Sequence, residues 1–163
     1  MDFNSTNELT VRKLKGDESI PYHLLLIADE TVLAINRYIH DSEIYLCEYE
    51  ARPIAVCAFK VVNAHIVEIK NLAVKQDFQG KGVGSYLLNS IADQASKRNF
   101  KSLLIGTGDK AKRQLKLYRE LGFADFDILK DFYLLNYANP IFENGEQLKD
   151  MIILKKELPT RFK

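Results

Sequence analysis

Cysteine is scarce in this sequence: the chain of 163 residues has two, Cys47 and Cys57. Two cysteines are too few for the disulfide framework of a small secreted protein, so a reducing, cytoplasmic location is expected. We interpret both as small buried hydrophobic side chains. No group of histidines and cysteines has the spacing of metal ligands, and no metal site is predicted.

An excess of charge of one sign is also lacking. Lys and Arg number 23 against 22 Asp and Glu, a formal net charge of +1. Nothing global therefore steers the protein toward nucleic acid or an acidic membrane surface. No apolar run approaches the roughly 18 residues that a membrane-spanning helix needs, and the polar segment 1–8 lacks the pattern of a signal peptide. We expect neither nucleic acid nor a membrane as partner.

The composition that remains is that of an ordinary globular protein, with 47% hydrophobic, 10% aromatic and 28% charged residues. This balance excludes a disordered chain or a collagen, and it suffices for a sizeable core. No repeat and no linker-like stretch interrupts the chain. Residues 1–163 are therefore predicted to form one domain, with residues 1–8 as a polar N-terminal tail.

The hydrophobic pattern predicts an α/β protein with a mixed sheet. The predicted elements are an edge strand at 9–14, helices at 22–28 and 31–39, strands at 43–50, 54–62 and 65–74, a helix at 82–98, a strand at 102–107, a helix at 110–121, and strands at 123–135 and 148–158. Turn-linked strands come first and strand–helix–strand crossovers follow, which excludes a uniformly parallel, doubly wound sheet.

The most informative segment is 72–85, where an apolar strand enters a glycine-rich turn that opens an amphipathic helix. Glycine permits positive φ and lets the backbone approach a ligand closely. The first turn of a helix leaves N–H donors free and carries the positive end of the helix dipole. The segment therefore predicts a phosphate-binding loop, with Lys81 as a nearby positive charge.

Two other phosphate-binding patterns fit this segment poorly. The P-loop pattern GxxxxGK[ST] is absent. Gly80, Gly82 and Ser85 approach GxGxxG, but serine stands in place of the third glycine. Five residues also separate Val74 from Gly80, whereas the dinucleotide-binding fingerprint puts its first glycine directly after the strand.

The loop instead resembles that of the GNAT superfamily of N-acetyltransferases. Gln79, Gly82 and Gly84 match the signature Q/R-x-x-G-x-G/A of that family. A second family feature, a helix with a tyrosine followed by a glycine, occurs at 117–123, and the resemblance covers residues 11–158. Within the superfamily, the sequence resembles a small bacterial subgroup whose acceptor substrate is unassigned. The resemblance implies a mostly antiparallel sheet of six to seven strands, flanked by helices and split at its central strands for acetyl-CoA.

The resemblance also implies how acetyl-CoA, the expected cosubstrate, is held without a metal. In the family the loop holds the pyrophosphate, and the backbone of the preceding strand pairs with the pantetheine arm. The implied binding residues are Leu72, Ala73, Val74, Gln79, Gly80, Lys81, Gly82, Val83, Gly84 and Ser85. Asp109 stands where the subgroup usually carries asparagine. It can cap the following helix, but its carboxylate disfavours direct contact with phosphate.

Two residues are predicted to move protons. Tyr118 matches the family tyrosine whose hydroxyl points at the thioester sulfur, so it is the predicted general acid, although its ring can also be a core aromatic. Glu68, eleven positions before Gln79 in an apolar strand, is the predicted general base. The alternatives for Glu68 are an ion pair with Lys70 and full solvation, in which case a chain of water would carry the proton.

Two sets of side chains have open interpretations. Basic residues on the predicted helix 110–121 form either a solvated face or partners of the CoA phosphates: Lys110, Lys112, Arg113, Lys116 and Arg119. Aromatic residues crowd the last third, where most are expected in the core and one or two at the acceptor: Phe126, Phe132, Tyr133, Tyr137 and Phe142.

The predicted function is transfer of an acetyl group from acetyl-CoA to a primary amine of a small molecule. Direct attack in a ternary complex is favoured because no cysteine lies near the motifs in the sequence. The alternatives are another acyl donor, acetylation of a protein or peptide amine, and a non-catalytic CoA-binding module. Pairing of two chains through exposed late strands, giving a homodimer, stays open.

Overall fold

The computed structural model describes residues 8–160, so all but Glu8 of the predicted N-terminal tail lies outside the described residues. The strands are β1 (Leu9–Lys13), β2 (Glu43–Tyr49), β3 (Arg52–Val61), β4 (Ile66–Val74), β5 (Ser102–Gly108), β6 (Ala124–Leu129), β7 (Phe142–Glu143), β8 (Glu146–Gln147) and β9 (Met151–Glu157). The helices are α1 (Tyr22–Ala28), α2 (Val32–Asn36), α3 (Val83–Lys97), α4 (Lys112–Glu120) and α5 (Phe132–Asn136), with 3₁₀ turns at Ile39–Asp41 and Gln76–Phe78.

Seven of the strands form one mixed sheet with the order β1-β2-β3-β4-β5-β9-β6. The pairing of β4 with β5 is parallel, and every other neighbouring pair in this sheet is antiparallel. The predicted mixed, mostly antiparallel sheet of six to seven strands is therefore confirmed. β7 and β8 form a separate two-stranded hairpin.

Hydrophobic side chains cover both faces of the sheet, as the alternation along β3 requires. Cys57 and Phe59 belong to the cluster that packs against α3 and α4, whereas Val56 and Ala58 belong to the cluster on the opposite face. On that opposite face, α1 contributes the fully buried Leu24 and Leu25. Because full burial of such a side chain stabilises the fold by about 1.5–3 kcal/mol, these contacts fix the helices on the sheet.

The sheet splits between β4 and β5. The two strands pair only from Ile66 with Ser102 to Ile69 with Ile105. Next to the last pair, β4 carries a bulge at Lys70, because Phe59 pairs with Ile69 and Ala58 pairs with Asn71. A bulge bends its strand and increases the local twist. As a consequence, residues 71–74 of β4 separate from residues 106–108 of β5. This separation confirms the predicted split.

One predicted strand, 123–135, is wrong in its second half. β6 ends at Leu129, Asp131 adopts a φ of 55°, and the short helix α5 follows. The amide of Asp131 donates to the Asp150 carboxylate at 2.8 Å, and the amide of Tyr133 donates to the carbonyl of Lys149 at 3.0 Å. These bonds come from a distant segment, so the local pattern of side chains could not indicate the turn.

Three further boundaries differ from the sequence prediction. The helix expected over 31–39 ends at Asn36, and the last strand begins at Met151 rather than at residue 148. The expected loop around 139–145 contains the β7–β8 hairpin. Its turn has positive φ at both Asn144 and Gly145, 49° and 80°, which is what the tightest hairpin turns require.

The outer edge of the sheet is formed by β6, whose residues are all exposed. Phe126 and Ile128 on this strand are 57% and 56% exposed. The pairing of two chains through late strands stays a prediction, and β6 is the strand it would use. Within residues 8–160, no helix is both long and apolar enough to cross a membrane.

Candidate active site

A cavity of about 610 Å³ occupies the split between β4 and β5, a size typical of small-molecule sites. One end is lined by the glycine loop and by two basic side chains of α4: Gln79, Gly80, Gly82, Arg113 and Lys116. The other end is lined by acidic and aromatic side chains: Asp29, Glu30, Tyr133, Tyr137 and Glu143. Glu120 of α4 and Lys70 of β4 line the cavity as well, so it joins a mostly basic region to a mostly acidic and aromatic one through the divided sheet.

The residues predicted to bind acetyl-CoA line this cavity, with the exception of Lys81. Gly80 and Gly82 have φ values of 72° and 82°, a backbone region that residues with a Cβ rarely adopt. A Cβ built on Gly82 would meet nothing within 4 Å, so the space beside this backbone is open. The loop thus has the shape and the room that a phosphate group requires.

The start of α3 adds hydrogen-bond donors to the loop. Gly82 is the N-cap residue and has no side chain to cap the helix, and Val83, Gly84 and Ser85 of the first turn line the cavity. The free N–H groups of a first turn and the positive end of the helix dipole both favour an anion. Because the loop and helix act together, this end suits pyrophosphate.

The glycine loop lies against the end of β4 through one side-chain hydrogen bond and one close approach of its backbone. The Gln79 side-chain amide donates to the carbonyl of Val74 at 2.9 Å. A Cβ on Gly84 would lie 3.6 Å from Cγ2 of Val74, so only a small residue packs here without displacing the strand. In this arrangement the side chain of Gln79 holds the loop against β4, which leaves the backbone N–H groups of the loop available to an anion.

The basic residues of α4 divide between the two interpretations that the sequence left open. Arg113 and Lys116 line the cavity. Lys112 instead lies 3.7 Å from the Glu146 carboxylate, and Arg119 forms a two-pronged ion pair with Asp125. Arg113 and Lys116 therefore line the phosphate end, where Lys116 also lies 3.9 Å from the Glu120 carboxylate, whereas Lys112 and Arg119 contact carboxylates that do not line the cavity.

The predicted capping role of Asp109 was wrong. The N-cap residue of α4 is Ala111, which has no side-chain capping bond. The Asp109 carboxylate accepts from the amide of Lys149 at 3.1 Å, and its own amide donates to the carbonyl of Asp150 at 3.0 Å. Asp109 therefore joins the end of β5 to the segment before β9.

Tyr118 lies near the end of α4 and lines the cavity. Its side chain is buried and its ring packs against Phe123, with the ring centroids 6.1 Å apart. Burial, with smaller contributions from Cys57 and Glu143, raises the pKa of Tyr118 to about 12. The phenol is therefore protonated at neutral pH, as a proton donor must be, while its ring also belongs to the core.

Glu68 lies apart from Tyr118. It lines an adjoining cavity of about 260 Å³ and not the larger one. Its carboxylate forms an ion pair with Lys70, two residues along the same strand, which was one of the alternatives that the sequence left open. The two cavities share Asp29 and Tyr137 in their walls.

A buried hydrogen-bond network at the acidic end was not predicted. The Asp29 carboxylate accepts from the hydroxyls of Tyr38 and Tyr137, at 3.1 and 2.7 Å. The Asn71 side-chain amide donates to the Tyr38 hydroxyl at 3.0 Å and to the carbonyl of Leu25 at 2.9 Å. Burial raises the pKa of both tyrosines, so both phenols remain donors and Asp29 remains an acceptor.

Sequence reasoning also missed Glu143, whose carboxyl group faces the larger cavity from β7. One signal was available: an Asn-Gly pair between short extended segments predicts a tight hairpin, and Glu143 directly precedes that pair. The expectation that most of the late aromatic residues lie in the core was wrong: none of the five is buried, and Phe126 and Phe142 are 57% and 61% exposed. Tyr133, Tyr137 and Phe142 line the larger cavity, and Phe132 lines the smaller one.

Cys57 lies closer to the site than the sequence suggested. Although it is distant from the motifs along the chain, its thiol is near enough to Tyr118 to contribute to the raised pKa of that phenol. It is fully buried and does not line the cavity. Burial raises the pKa of the Cys57 thiol to about 12 and that of Cys47 to about 11, so both thiols are unreactive at neutral pH.

Comparison with known proteins shows the family to which the chain belongs. A sequence profile of the acetyltransferase (GNAT) family matches residues 11–123. The chain belongs to the GNAT family. As a GNAT protein it is an acyltransferase, and the reaction of the family is acetyl transfer.

Individual GNAT relatives agree with this assignment. The chain is 36% identical over 137 residues to the uncharacterized N-acetyltransferase YvbK of Bacillus subtilis, covering 84% of this chain and 88% of the relative. A GNAT acetyltransferase from Elizabethkingia anophelis, solved with acetyl-CoA bound, has a TM-score of 0.90 at 38% identity, over 93% of this chain and 99% of that one. A Bacillus subtilis acetyltransferase in complex with CoA has a TM-score of 0.84 at 34% identity, again over 93% and 99%.

Proposed function

We propose that this GNAT protein transfers the acetyl group of acetyl-CoA to a primary amine of a small molecule, by direct attack while both substrates are bound. The observation that carries the proposal is a single cavity that joins the glycine loop to Tyr118 and then to an acidic, aromatic end. Phosphate suits the first end, and an ammonium group suits the second. The acetyl-CoA and CoA complexes of the two relatives support acetyl-CoA as the cosubstrate.

Residues on both sides of the split are proposed to hold acetyl-CoA. The backbone N–H groups at 82–85 bind its pyrophosphate, and Arg113 and Lys116 balance the phosphate charge. The parted backbone of β4, at Leu72, Ala73 and Val74, pairs with the pantetheine arm. When bound, acetyl-CoA supplies an acetyl group activated as a thioester.

Tyr118 is proposed as the general acid. Its buried phenol keeps its proton at neutral pH, because its pKa is raised to about 12, and it donates that proton to the departing sulfur. The amine must also lose a proton before it can attack. Glu68 is the acceptor of that proton that the sequence predicts, but it would first have to exchange its contact with Lys70 for one with the amine or with water.

The state of the cysteines supports direct attack. A ping-pong route would need a thiolate nucleophile beside the bound thioester. Cys57 and Cys47 are buried, do not line the cavity, and have raised pKa values. We therefore expect initial rates that give intersecting double-reciprocal lines when both substrates are varied; parallel lines would contradict direct attack.

A panel of acceptors tests the proposed function. Thiol release from acetyl-CoA is measured with amines, polyamines, amino acids, aminoglycosides and peptides, and acetyl-CoA binding is measured separately by calorimetry. We expect release with at least one small primary amine, accompanied by an equal amount of acetylated product. Turnover of peptides alone would indicate a protein acceptor. Binding without release above the rate in buffer, for every acceptor, would indicate a non-catalytic module.

A further inference from the structure

The β7–β8 hairpin directs one carboxyl group into the active-site cavity. Residues alternate across a strand, so Phe142 is 61% exposed while the neighbouring Glu143 is partly buried, and both line the cavity. The hairpin is closed by a bond from the amide of Leu148 to the carbonyl of Ile141, at 2.8 Å. On its second strand the Glu146 carboxylate lies 3.7 Å from the ammonium of Lys112, an exposed pair of the kind that contributes little to stability. The position of Glu143 is therefore fixed by backbone pairing.

Glu143 lacks the partner that a buried carboxylate normally has. Its Oε2 atom is buried, and no hydrogen-bond partner for it lies among residues 8–160. A buried polar atom without a partner costs free energy, so one that persists in a cavity of an enzyme indicates a group that the substrate completes. The atom is an acceptor, which suits the N–H of an ammonium group.

The groups around Glu143 come from three other elements. Glu30, in the loop between α1 and α2, adds a second negative charge, and burial together with this charge raises the pKa of Glu143. Tyr133 of α5 and Tyr118 of α4 are close enough for the charge of Glu143 to contribute to their raised pKa values, after burial. Glu143 thus lies near the proposed acid, and its surroundings favour uptake of a proton.

We infer that Glu143 is the catalytic base, and that its buried carboxylate oxygen binds the ammonium group of the acceptor and removes a proton from it. This inference rests on the proposed function. It differs from the sequence prediction of Glu68, whose carboxylate already has Lys70 as partner and faces the smaller cavity. A base with a free acceptor atom needs no rearrangement before the amine arrives.

The protons and electron pairs balance in this scheme. Glu143 accepts one proton from the ammonium, which frees the nitrogen lone pair. The lone pair forms the carbon–nitrogen bond while the carbon–sulfur bond breaks, and sulfur leaves with the bonding electrons. Tyr118 donates its phenolic proton to that sulfur. The second proton shed by nitrogen restores the phenol through solvent, and Glu143 releases its own proton to water.

The test compares Glu143→Gln with a variant of the same hairpin, Glu146→Gln. The first keeps the shape but cannot accept a proton; the second removes an exposed carboxylate that does not line the cavity. The measurement is kcat/KM for an active amine between pH 5 and pH 10, with calorimetric binding of acetyl-CoA. We expect Glu143→Gln to lower the plateau on the order of 10²-fold and to remove the ionisation of the base. Acetyl-CoA affinity and the Glu146→Gln profile are expected to match the wild type.

Two further comparisons make the result decisive. Glu143→Asp keeps a carboxylate and should retain the ionisation at a reduced plateau, which a purely structural role would not require. Glu68→Gln tests the competing assignment, in which Glu68 is the base. If Glu68→Gln removes the ionisation while Glu143→Gln keeps the wild-type profile, the role of Glu143 is overturned. The acceptor amine titrates in every profile, so only the difference between variants reports on the enzyme.

Stability provides a readout that does not depend on turnover. Because the folded-state pKa of Glu143 is raised, the folded protein binds more protons than the unfolded chain between the two pKa values. Its carboxyl group therefore costs stability as the pH rises through that window. We expect Glu143→Gln to gain stability relative to the wild type as the pH rises above the ordinary pKa of a glutamate; no gain means that the carboxylate has a partner, which overturns the inference. A wild type that binds acetyl-CoA but acetylates no amine overturns the proposed function and this role together.

Discussion

At the scale of single residues, Tyr118 connects packing with chemistry. Removing its hydroxyl separates the two, because Tyr118→Phe keeps the ring that packs on Phe123. We expect turnover to fall on the order of 10²-fold with acetyl-CoA affinity little changed, since the lost group acts on the leaving sulfur. The measurement is kcat by thiol release, with calorimetric binding.

Tyr86 offers the matched control for this variant. Its hydroxyl donates to the carbonyl of Leu9 at 3.1 Å, and it packs against the same core without lining the cavity. Tyr86→Phe should lower stability slightly and leave turnover as in the wild type. A Tyr118→Phe protein with full turnover and reduced thermal stability would reduce Tyr118 to a core aromatic.

Gly82 tests the phosphate end of the cavity. Gly82→Asp places a side chain and a negative charge in the open space beside the loop, so we expect acetyl-CoA binding to be lost in a folded protein. Gly145→Asp is the control, because Gly145 also has positive φ, 80°, and open space around its Cβ. Gly145→Asp forces a side chain into the same unfavourable positive φ, but in the β7–β8 turn rather than in the glycine loop. Wild-type affinity in folded Gly82→Asp, measured by calorimetry, would reject the phosphate site.

At the scale of elements, the end of α4 shows how local sequence positions the proposed acid. Gly122 has a φ of 94°, the left-handed conformation typical of a glycine that ends a helix. The amide of Phe123 donates to the carbonyl of Tyr118 at 3.0 Å, and the amide of Gly122 donates to that of Arg119 at 3.1 Å. These two bonds, with the contact between the rings of Phe123 and Tyr118, form a Schellman motif.

Gly122→Ala measures what this motif contributes. A Cβ at Gly122 would lie 3.7 Å from the nearest side-chain atom of Lys156, an ordinary contact, so the cost is conformational alone. We expect the free energy of unfolding to fall by about 1 kcal/mol, measured by urea denaturation. Gly16 lacks positive φ and has open space, so Gly16→Ala should cause no loss. Equal effects of the two variants would contradict a specific role for the αL cap.

At the scale of the whole molecule, the split in the sheet couples ligand binding to stability. A ligand held by both β4 and the α3 loop binds the folded state alone, so it should stabilise the protein by about 2.7 kcal/mol at 100 times its Kd. We expect acetyl-CoA to raise the melting temperature of the wild type and of Tyr118→Phe, but not of Gly82→Asp. Pantetheine, which lacks the pyrophosphate, should raise it less. Equal shifts with pantetheine and acetyl-CoA would place the binding energy outside the loop.

The sequence by itself determined those features whose cause is local. The nearly continuous apolar run of β3 and the helical period of α3 predicted these elements to within about two residues at either end. The glycines at 80, 82 and 84 and the tyrosine at 118 act through backbone conformation and helix geometry that neighbouring residues specify. The phosphate end of the site could therefore be predicted, together with the family.

The tertiary structure decided the acceptor end, because its parts meet only when the sheet folds. Asp29 and Tyr137 are hydrogen-bonded although they lie 108 positions apart, and Glu143 of the β7–β8 hairpin lines the same cavity as the glycine loop. Glu68 seemed the better base in the sequence, since an apolar strand surrounds it, but the fold gives it Lys70 as partner. Burial and the absence of a partner are properties of three-dimensional packing. They separate one carboxylate from another where the residue type cannot.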